Sequence, residues 1–135
     1  MTKTKPTAAS VDDFLAGVAD ERRRADAYAA VALIRKVTGT DPVMWGTMIG
    51  FGHQPYTTAD GKKHETFAVG VAPRKQALTL YGLTYYGSNA DLLEKLGPHT
   101  TGKGCLYLKR FGEVDREVLR ELIVRGWATN HTDGD

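Results

Sequence analysis

The fold of this chain is decided by the stretch FAVGVAPRKQALTLYG, residues 67–82. Larger apolar residues alternate with smaller ones in both halves, which predicts two β-strands, 66–72 and 76–82. Pro73, Arg74 and Lys75 lie between them at the position of a turn. Strands this close in sequence are antiparallel, because a parallel pair needs a crossover of about a dozen residues. The stretch therefore predicts a β-hairpin.

The two sides of the predicted hairpin differ in size, because side chains alternate between the faces of a strand. The bulky side carries Phe67, Val69, Val71, Leu78 and Leu80. The small side carries Ala68, Gly70, Ala72, Ala77 and Thr79 before it reaches Tyr81. We expect helices on the bulky side. Strand faces that meet water usually carry longer polar side chains, so we expect an occupant on the small side.

Three further segments form or border the predicted sheet. PVMWGTMIGFG, residues 42–52, predicts one strand interrupted by glycines, and HQPYTTADGKKHE, residues 53–65, predicts a loop with a turn at Asp60-Gly61. CLYLKR, residues 105–110, predicts a last strand. Its alternation puts Leu106 and Leu108 on the bulky side, and it puts Cys105, Tyr107 and Lys109 on the small side.

Helix signals flank these strands. Ser10 and Asp20 are expected to cap two N-terminal helices, of which the second ends at Gly39. A third helix is predicted from Ser88 to Gly97-Pro98, and a fourth in EVDREVLRELIVRGW, residues 113–127. The order α-α-β-β-β-α-β-α predicts an α+β fold, with helices on one face of a four- to five-stranded antiparallel or mixed sheet. We expect a mobile arm at 1–9, one domain at 10–128 and a frayed tail at 129–135.

Composition limits the classes of function. The 135 residues are 41% hydrophobic and 25% charged, which is typical of a globular domain. No signal peptide or membrane span is evident, and the one cysteine, Cys105, forms no internal bridge, so we expect a cytoplasmic protein without a membrane partner. The net charge is +2, and residues 62–110 hold eight basic side chains against three acidic ones. The net charge is too small by itself to predict nucleic acid as a partner, although this strand region is basic.

The small side of the sheet is the candidate site. Its predicted ligand- or partner-binding residues are Trp45, Gly70, Ala77, Tyr81, Tyr107 and Lys109, and its predicted anion contacts are Arg74, Lys75 and Lys103. The occupant is expected to be a flat or elongated small ligand, a second copy of the sheet, or the loop 53–64 folded over it. An enzyme is the third hypothesis, because Tyr81, Cys105 and Lys109 share this side. No catalytic residue and no metal site are predicted, since the histidines lack a ligand spacing.

Several segments resemble the YdhG-like family of small bacterial domains of unknown function. The resemblance covers residues 8–127 and is strongest in PRKQALTLY, residues 73–81, and in KLGPHTTGKGCLYLKR, residues 95–110. It implies an α+β domain with an antiparallel sheet. Some relatives carry a frataxin-like iron-chaperone label, so the resemblance implies iron handling as an alternative. One observation argues against iron handling. Three arginines, residues 22–24, lie close to the N-terminal acids Asp12, Asp13, Asp20 and Glu21, and their positive charge weakens the attraction of these acids for a metal cation.

Overall fold

The computed structural model describes residues 6–7, 10–84, 89–102 and 105–131. Within these ranges four helices pack on one face of an antiparallel sheet, so the predicted α+β class is confirmed. The helices are α1 (Val11–Ala16), α2 (Glu21–Thr38), α3 (Ala90–Leu96) and α4 (Arg116–Asn130). None of the helices in the described ranges is long and apolar enough to cross a membrane.

The sheet has more strands than predicted. The strands of the described residues are β1 (Pro6–Thr7), β2 (Val43–Trp45), β3 (Met48–Phe51), β4 (Gln54–Thr57), β5 (Lys63–Thr66), β6 (Val69–Pro73), β7 (Leu78–Tyr81), β8 (Thr100–Thr101) and β9 (Cys105–Leu108). Seven of them form one sheet in the order β1-β2-β3-β6-β7-β9-β8, and β4 pairs with β5 separately. Every pairing is antiparallel, and the hairpin of β6 and β7 lies at the centre.

Two unrecognised hairpins account for three of the extra strands, and the two-residue edge strands β1 and β8 account for the others. The predicted single strand 42–52 folds back at Gly46, whose φ of 65° is the left-handed conformation that glycine adopts readily in a turn. The predicted loop 53–65 is the hairpin of β4 and β5, and its turn is closed by a 2.9 Å hydrogen bond from the Thr58 amide to the Lys62 carbonyl. The predicted turn at Asp60-Gly61 is therefore confirmed, but the prediction of a loop on either side of it is wrong.

The predicted caps of α1 and α2 agree with the structure, and α3 ends before Gly97 as predicted, whereas α4 spans Arg116–Asn130 and not the predicted 113–127. The Ser10 hydroxyl accepts from the Asp13 amide, Asp20 accepts from the Arg23 amide at 2.9 Å, and Gly39 ends α2 in the left-handed conformation. The predicted start of α3 at Ser88 lies outside the described residues. Helix α4 continues to Asn130, whose side chain is buried, past the predicted boundary at residue 128. Pro6–Thr7 pairs with β2, and the rest of the predicted arm lies outside the described residues.

The bulky side of the sheet is the core, as predicted for the central strands. Val71 pairs with Leu80, which in turn pairs with Leu106, and these fully buried residues form one row under the helices. Leu78 and Leu108 form the next row and are also fully buried. Burying a side chain of this size stabilises a fold by about 1.5–3 kcal/mol, so these rows fix which face of the sheet meets the helices.

Polar contacts from α2 fix the end of β9. Asp26, which is 7% exposed, accepts hydrogen bonds of 3.0 Å from Arg110 Nε and from the Phe111 amide. Arg23 donates to the Lys109 carbonyl at 3.1 Å, and Arg24 donates to the Val18 carbonyl at 2.8 Å. Arg23 and Arg24 are therefore half-buried and hydrogen-bonded to backbone carbonyls outside α2.

Candidate functional site

The sheet face opposite the helices, which we call the open face, is half covered by Phe67. A Cβ atom added to Gly70 would lie 2.8 Å from Phe67 Cδ1, and one added to Gly50 would lie 2.6 Å from Phe67 Cβ. Both distances are shorter than any contact that a real Cβ makes, so Phe67 lies directly on the two glycines. The prediction that Phe67 faces the helices is therefore wrong. Strand β6 begins only at Val69, and the bend at Ala68 interrupts the alternation.

Phe67 belongs to a cluster of three aromatic rings. Its ring centroid lies 5.9 Å from that of Trp45 and 5.7 Å from that of Tyr81, and both pairs meet edge to face. Such pairs stabilise by about 0.5–1.5 kcal/mol beyond the area that they bury. Trp45 and Gly70 were predicted to contact a ligand, but the cluster covers Gly70 and leaves Trp45 only 4% exposed. The occupant of this half of the open face is the chain itself.

The other half of the open face is a cleft of about 970 Å³, which we call the open-face cleft. It lies over Ala77 and Thr79, and its remaining lining includes Arg74, Tyr107, Lys109, His99, Thr100 and Glu113. Thr79 pairs with Tyr107, and Tyr107 pairs with Thr100, so the cleft extends across β7, β9 and β8 to the edge of the sheet. The structure therefore brings together four predicted site residues, namely Arg74, Ala77, Tyr107 and Lys109.

Two predicted anion contacts are not part of this cleft. Lys75 is an exposed residue of the β6–β7 turn and is not among the cleft-lining residues. Lys103 lies outside the described residues. Of the three predicted cationic contacts, Arg74 alone lines the described cleft.

Arg74 is held in place by two neutral hydroxyl groups. Its Nη1 donates to Thr47 Oγ1 at 2.9 Å, and its Nη2 donates to the Tyr81 hydroxyl at 3.4 Å. Within the described part of the chain, no carboxylate oxygen lies within 4.0 Å of this guanidinium. A guanidinium has five N–H donors, so these two contacts leave three for other acceptors. Arg74 is an oriented cation without a carboxylate partner in the described structure.

Tyr107 forms one wall of the cleft. Its ring lies against Gly102, where an added Cβ would be 3.2 Å from Tyr107 Cε2. A side-chain hydrogen bond with Cys105 raises the pKa of Tyr107 above its ordinary value of 10.0, and electrostatic repulsion from Cys105 and Tyr81 adds to the shift. A general acid or base works best with a pKa near the operating pH. The direction of this shift suits a neutral hydrogen-bonding wall and does not suit a proton-transfer group.

His99 and Glu113 line the cleft but were not predicted as site residues. His99 Nδ1 lies 2.7 Å from the Gly97 carbonyl oxygen, which only accepts, so Nδ1 carries a proton. In the neutral ring Nε2 is then an acceptor. The helix stop at Gly97-Pro98 was the available sequence signal, because it returns the chain to the sheet edge immediately before His99.

The histidines of the β4–β5 hairpin have separate partners. His53 Nε2 lies 3.1 Å from Glu65 Oε1, and His64 Nε2 lies 3.3 Å from Thr58 Oγ1. Across the described residues, no group of three or more histidine, cysteine, aspartate or glutamate side chains is placed to hold a metal ion. We therefore assign no metal ligands in this hairpin.

Comparison of the chain with protein-family models, with curated proteins and with solved structures found no match. The resemblance to the YdhG-like family accordingly stays a prediction from the sequence.

Proposed function

We propose that this protein is a small binding domain that holds a small organic ligand in the open-face cleft. The observation that carries the proposal is the cleft itself, with its floor of Ala77 and Thr79, its tyrosine wall and its charged rim. Ligand pockets commonly enclose about 300–1,000 Å³ and combine apolar walls with a few placed polar groups. The cleft, at about 970 Å³, falls within that range. We also propose a cytoplasmic location, because Cys105 is a free thiol and free thiols are typical of reducing compartments.

A small ligand suits the open-face cleft better than a second copy of the sheet. Phe67 and Trp45 already cover the apolar half of the open face. The uncovered half is bordered by Arg74, Lys109 and Glu113, whereas the cores of protein interfaces are depleted of charged residues. A dimer through this face would have to bury these three charged side chains, so we make it an outcome of the test.

The test is to fill the floor with Ala77→Tyr, using Ala128→Tyr on the exposed surface of α4 as the matched control. A fragment mixture is titrated into ¹⁵N-labelled protein while light scattering measures its mass. We expect a monomeric wild type whose Ala77, Thr79 and Tyr107 amide signals shift with some fragments. Those shifts should disappear in Ala77→Tyr and persist in Ala128→Tyr, because only the ring at position 77 occupies the cleft, and it does so without touching the helix-facing core.

Two other outcomes would contradict the proposal. A wild-type dimer that dissociates in Ala77→Tyr would identify a second copy as the occupant. A wild type without fragment shifts, together with an Ala77→Tyr variant of equal or higher stability, would mean that the cleft only contacts solvent. Tyrosine has a high β-propensity, so it is tolerated or slightly favourable on an open sheet surface.

The iron-chaperone alternative is a separate hypothesis that rests on the family resemblance. It is tested by titrating ferrous iron into the wild type and into a variant with Asp12, Asp13, Asp20 and Glu21 replaced by their amides. Sub-millimolar binding that the variant loses would favour iron handling over the small-ligand proposal.

A further inference from the structure

We infer that the ligand of the open-face cleft is a small organic carboxylate, and that Arg74 binds its anionic group. This inference rests on the proposed function and names the class of its ligand. Its basis is the guanidinium of Arg74, which two neutral hydroxyls orient and no carboxylate within 4.0 Å neutralises in the described structure.

Hydrogen bonds at its backbone and at its guanidinium orient the exposed Arg74. At the backbone, its amide donates to the Ala77 carbonyl and to the Ala72 carbonyl, each at 3.0 Å, within the tight turn between β6 and β7. At the tip, Thr47 and Tyr81 accept from the two Nη atoms. An arginine that is ordered before binding loses less conformational entropy when a ligand arrives. Its planar fork of donors matches the two oxygens of a carboxylate.

The charge around the cleft favours an anion. Arg74 and Lys109 are its two permanent cations, and Glu113 is the acidic residue among the cleft-lining positions that the structure describes. The charge of Glu113 also acts on Arg110, whose pKa is raised first by its hydrogen bond to Asp26 and further by Glu113. With two cations against one carboxylate, the described lining carries an excess of positive charge.

The rest of the lining favours a carboxylate over a phosphate. Phosphates are commonly bound by several backbone amides at a helix N-terminus. None of the lining residues in the described cleft lies at the N-terminus of an α-helix. The floor and the wall are Ala77, Thr79 and the Tyr107 ring, which offer surface to a flat apolar body. A carboxylate attached to an aromatic or aliphatic group satisfies both parts of the cleft.

The experiment compares two probes of the same shape, 4-phenylbutyrate and its neutral amide 4-phenylbutanamide, by ¹⁵N NMR titration. Arg74 is exposed, and ion pairs at exposed sites contribute up to about 1 kcal/mol, so we expect the wild type to bind the carboxylate about two- to fivefold more tightly than the amide. Arg74→Gln should reduce this preference to about one. Arg74→Lys should keep part of it, since the charge remains and the fork is lost. Arg120→Gln, an exposed change on α4, should leave it intact.

Three results would overturn the inference. Equal affinity of the wild type for both probes would refute a carboxylate as the ligand class, while the proposed binding function would stand. A preference that survives in Arg74→Gln would assign the anion to another cation, such as Lys109. An absence of shifts with both probes would exclude this ligand class, and the fragment titration then decides separately whether the cleft binds anything. The dispersion of the NMR spectrum shows for each variant that the fold is intact.

Discussion

Gly70 gives the sharpest test of how the open face is covered. Its backbone is not in the left-handed region, so an L side chain causes no backbone strain there. Replacing glycine by alanine inside a strand then stabilises the backbone by about 0.5–1 kcal/mol, because the unfolded chain loses freedom. On a solvated sheet Gly70→Ala would be favourable. In this structure the new methyl would lie 2.8 Å from Phe67 Cδ1, so we expect the substitution to destabilise the protein.

The expected cost follows from the surroundings of Phe67. The ring is held edge to face by Trp45 on one side and by Tyr81 on the other, so it cannot move aside without breaking an aromatic pair. Overpacking a well-filled site costs about 1–3 kcal/mol. After subtracting the backbone gain, we expect Gly70→Ala to lower the free energy of unfolding by about 0.5–2 kcal/mol.

Urea denaturation of Gly70→Ala, Phe67→Ala and the double variant measures this effect as a double-mutant cycle. Phe67→Ala alone should cost about 3–5 kcal/mol, since it removes a buried ring. In that background Gly70→Ala should become neutral or stabilising, because the clash is gone, which gives a coupling energy of about 2 kcal/mol. A neutral or stabilising Gly70→Ala in the wild type would refute the placement of Phe67 on the open face.

Three further predictions test the core, the α2 tie and the tyrosine wall. Leu108→Ala should cost about 2–5 kcal/mol in thermal unfolding and Tyr107→Ala less, and the reverse order would contradict the register of β9. Asp26→Ala should cost about 1–3 kcal/mol and Asp26→Asn less, because the amide oxygen still accepts from the Phe111 amide; equal losses would contradict that reason. Cys105→Ala should return the raised pKa of Tyr107 toward 10.0, followed by NMR of ¹³Cζ-labelled tyrosine. Because the pKa of Tyr107 is raised in the folded state, the contribution of Tyr107 to stability is complete below pH 10 and is lost as the pH rises through the folded pKa. A Tyr107 pKa that is unchanged in Cys105→Ala would exclude Cys105 as the cause of the shift.

The sequence predicts well those features that a few neighbouring residues determine. Alternation in a strand is a property of the local backbone, so Val71, Leu80 and Leu106 could be assigned to one face before their pairing was known. The capping roles of Ser10 and Asp20 are equally local, since each side chain reaches an amide three residues ahead.

Features that depend on distant contacts were missed. Gly46 and Gly50 are the same residue type, but Gly46 permits a turn whereas Gly50 makes room for the Phe67 ring. Nothing near Phe67 indicates that its strand begins two residues later, because the bend is fixed by the Ala68 amide donating to the Phe51 carbonyl on another strand. Likewise His99 reaches the cleft only through the packing of the segment between α3 and β8.

The covered half and the cleft are parts of one arrangement, because the residues that orient Arg74 also belong to, or adjoin, the aromatic cluster. Tyr81 packs edge to face on Phe67, and its hydroxyl accepts from Arg74. Thr47, the second acceptor, follows Trp45 in the β2–β3 turn, and Trp45 packs on the other side of Phe67. Phe67 can occupy its central position only while Gly70 lacks a side chain. The small residues beside Phe67 therefore position an arginine, whereas Ala77 and Thr79 leave the space toward which a ligand of that arginine extends.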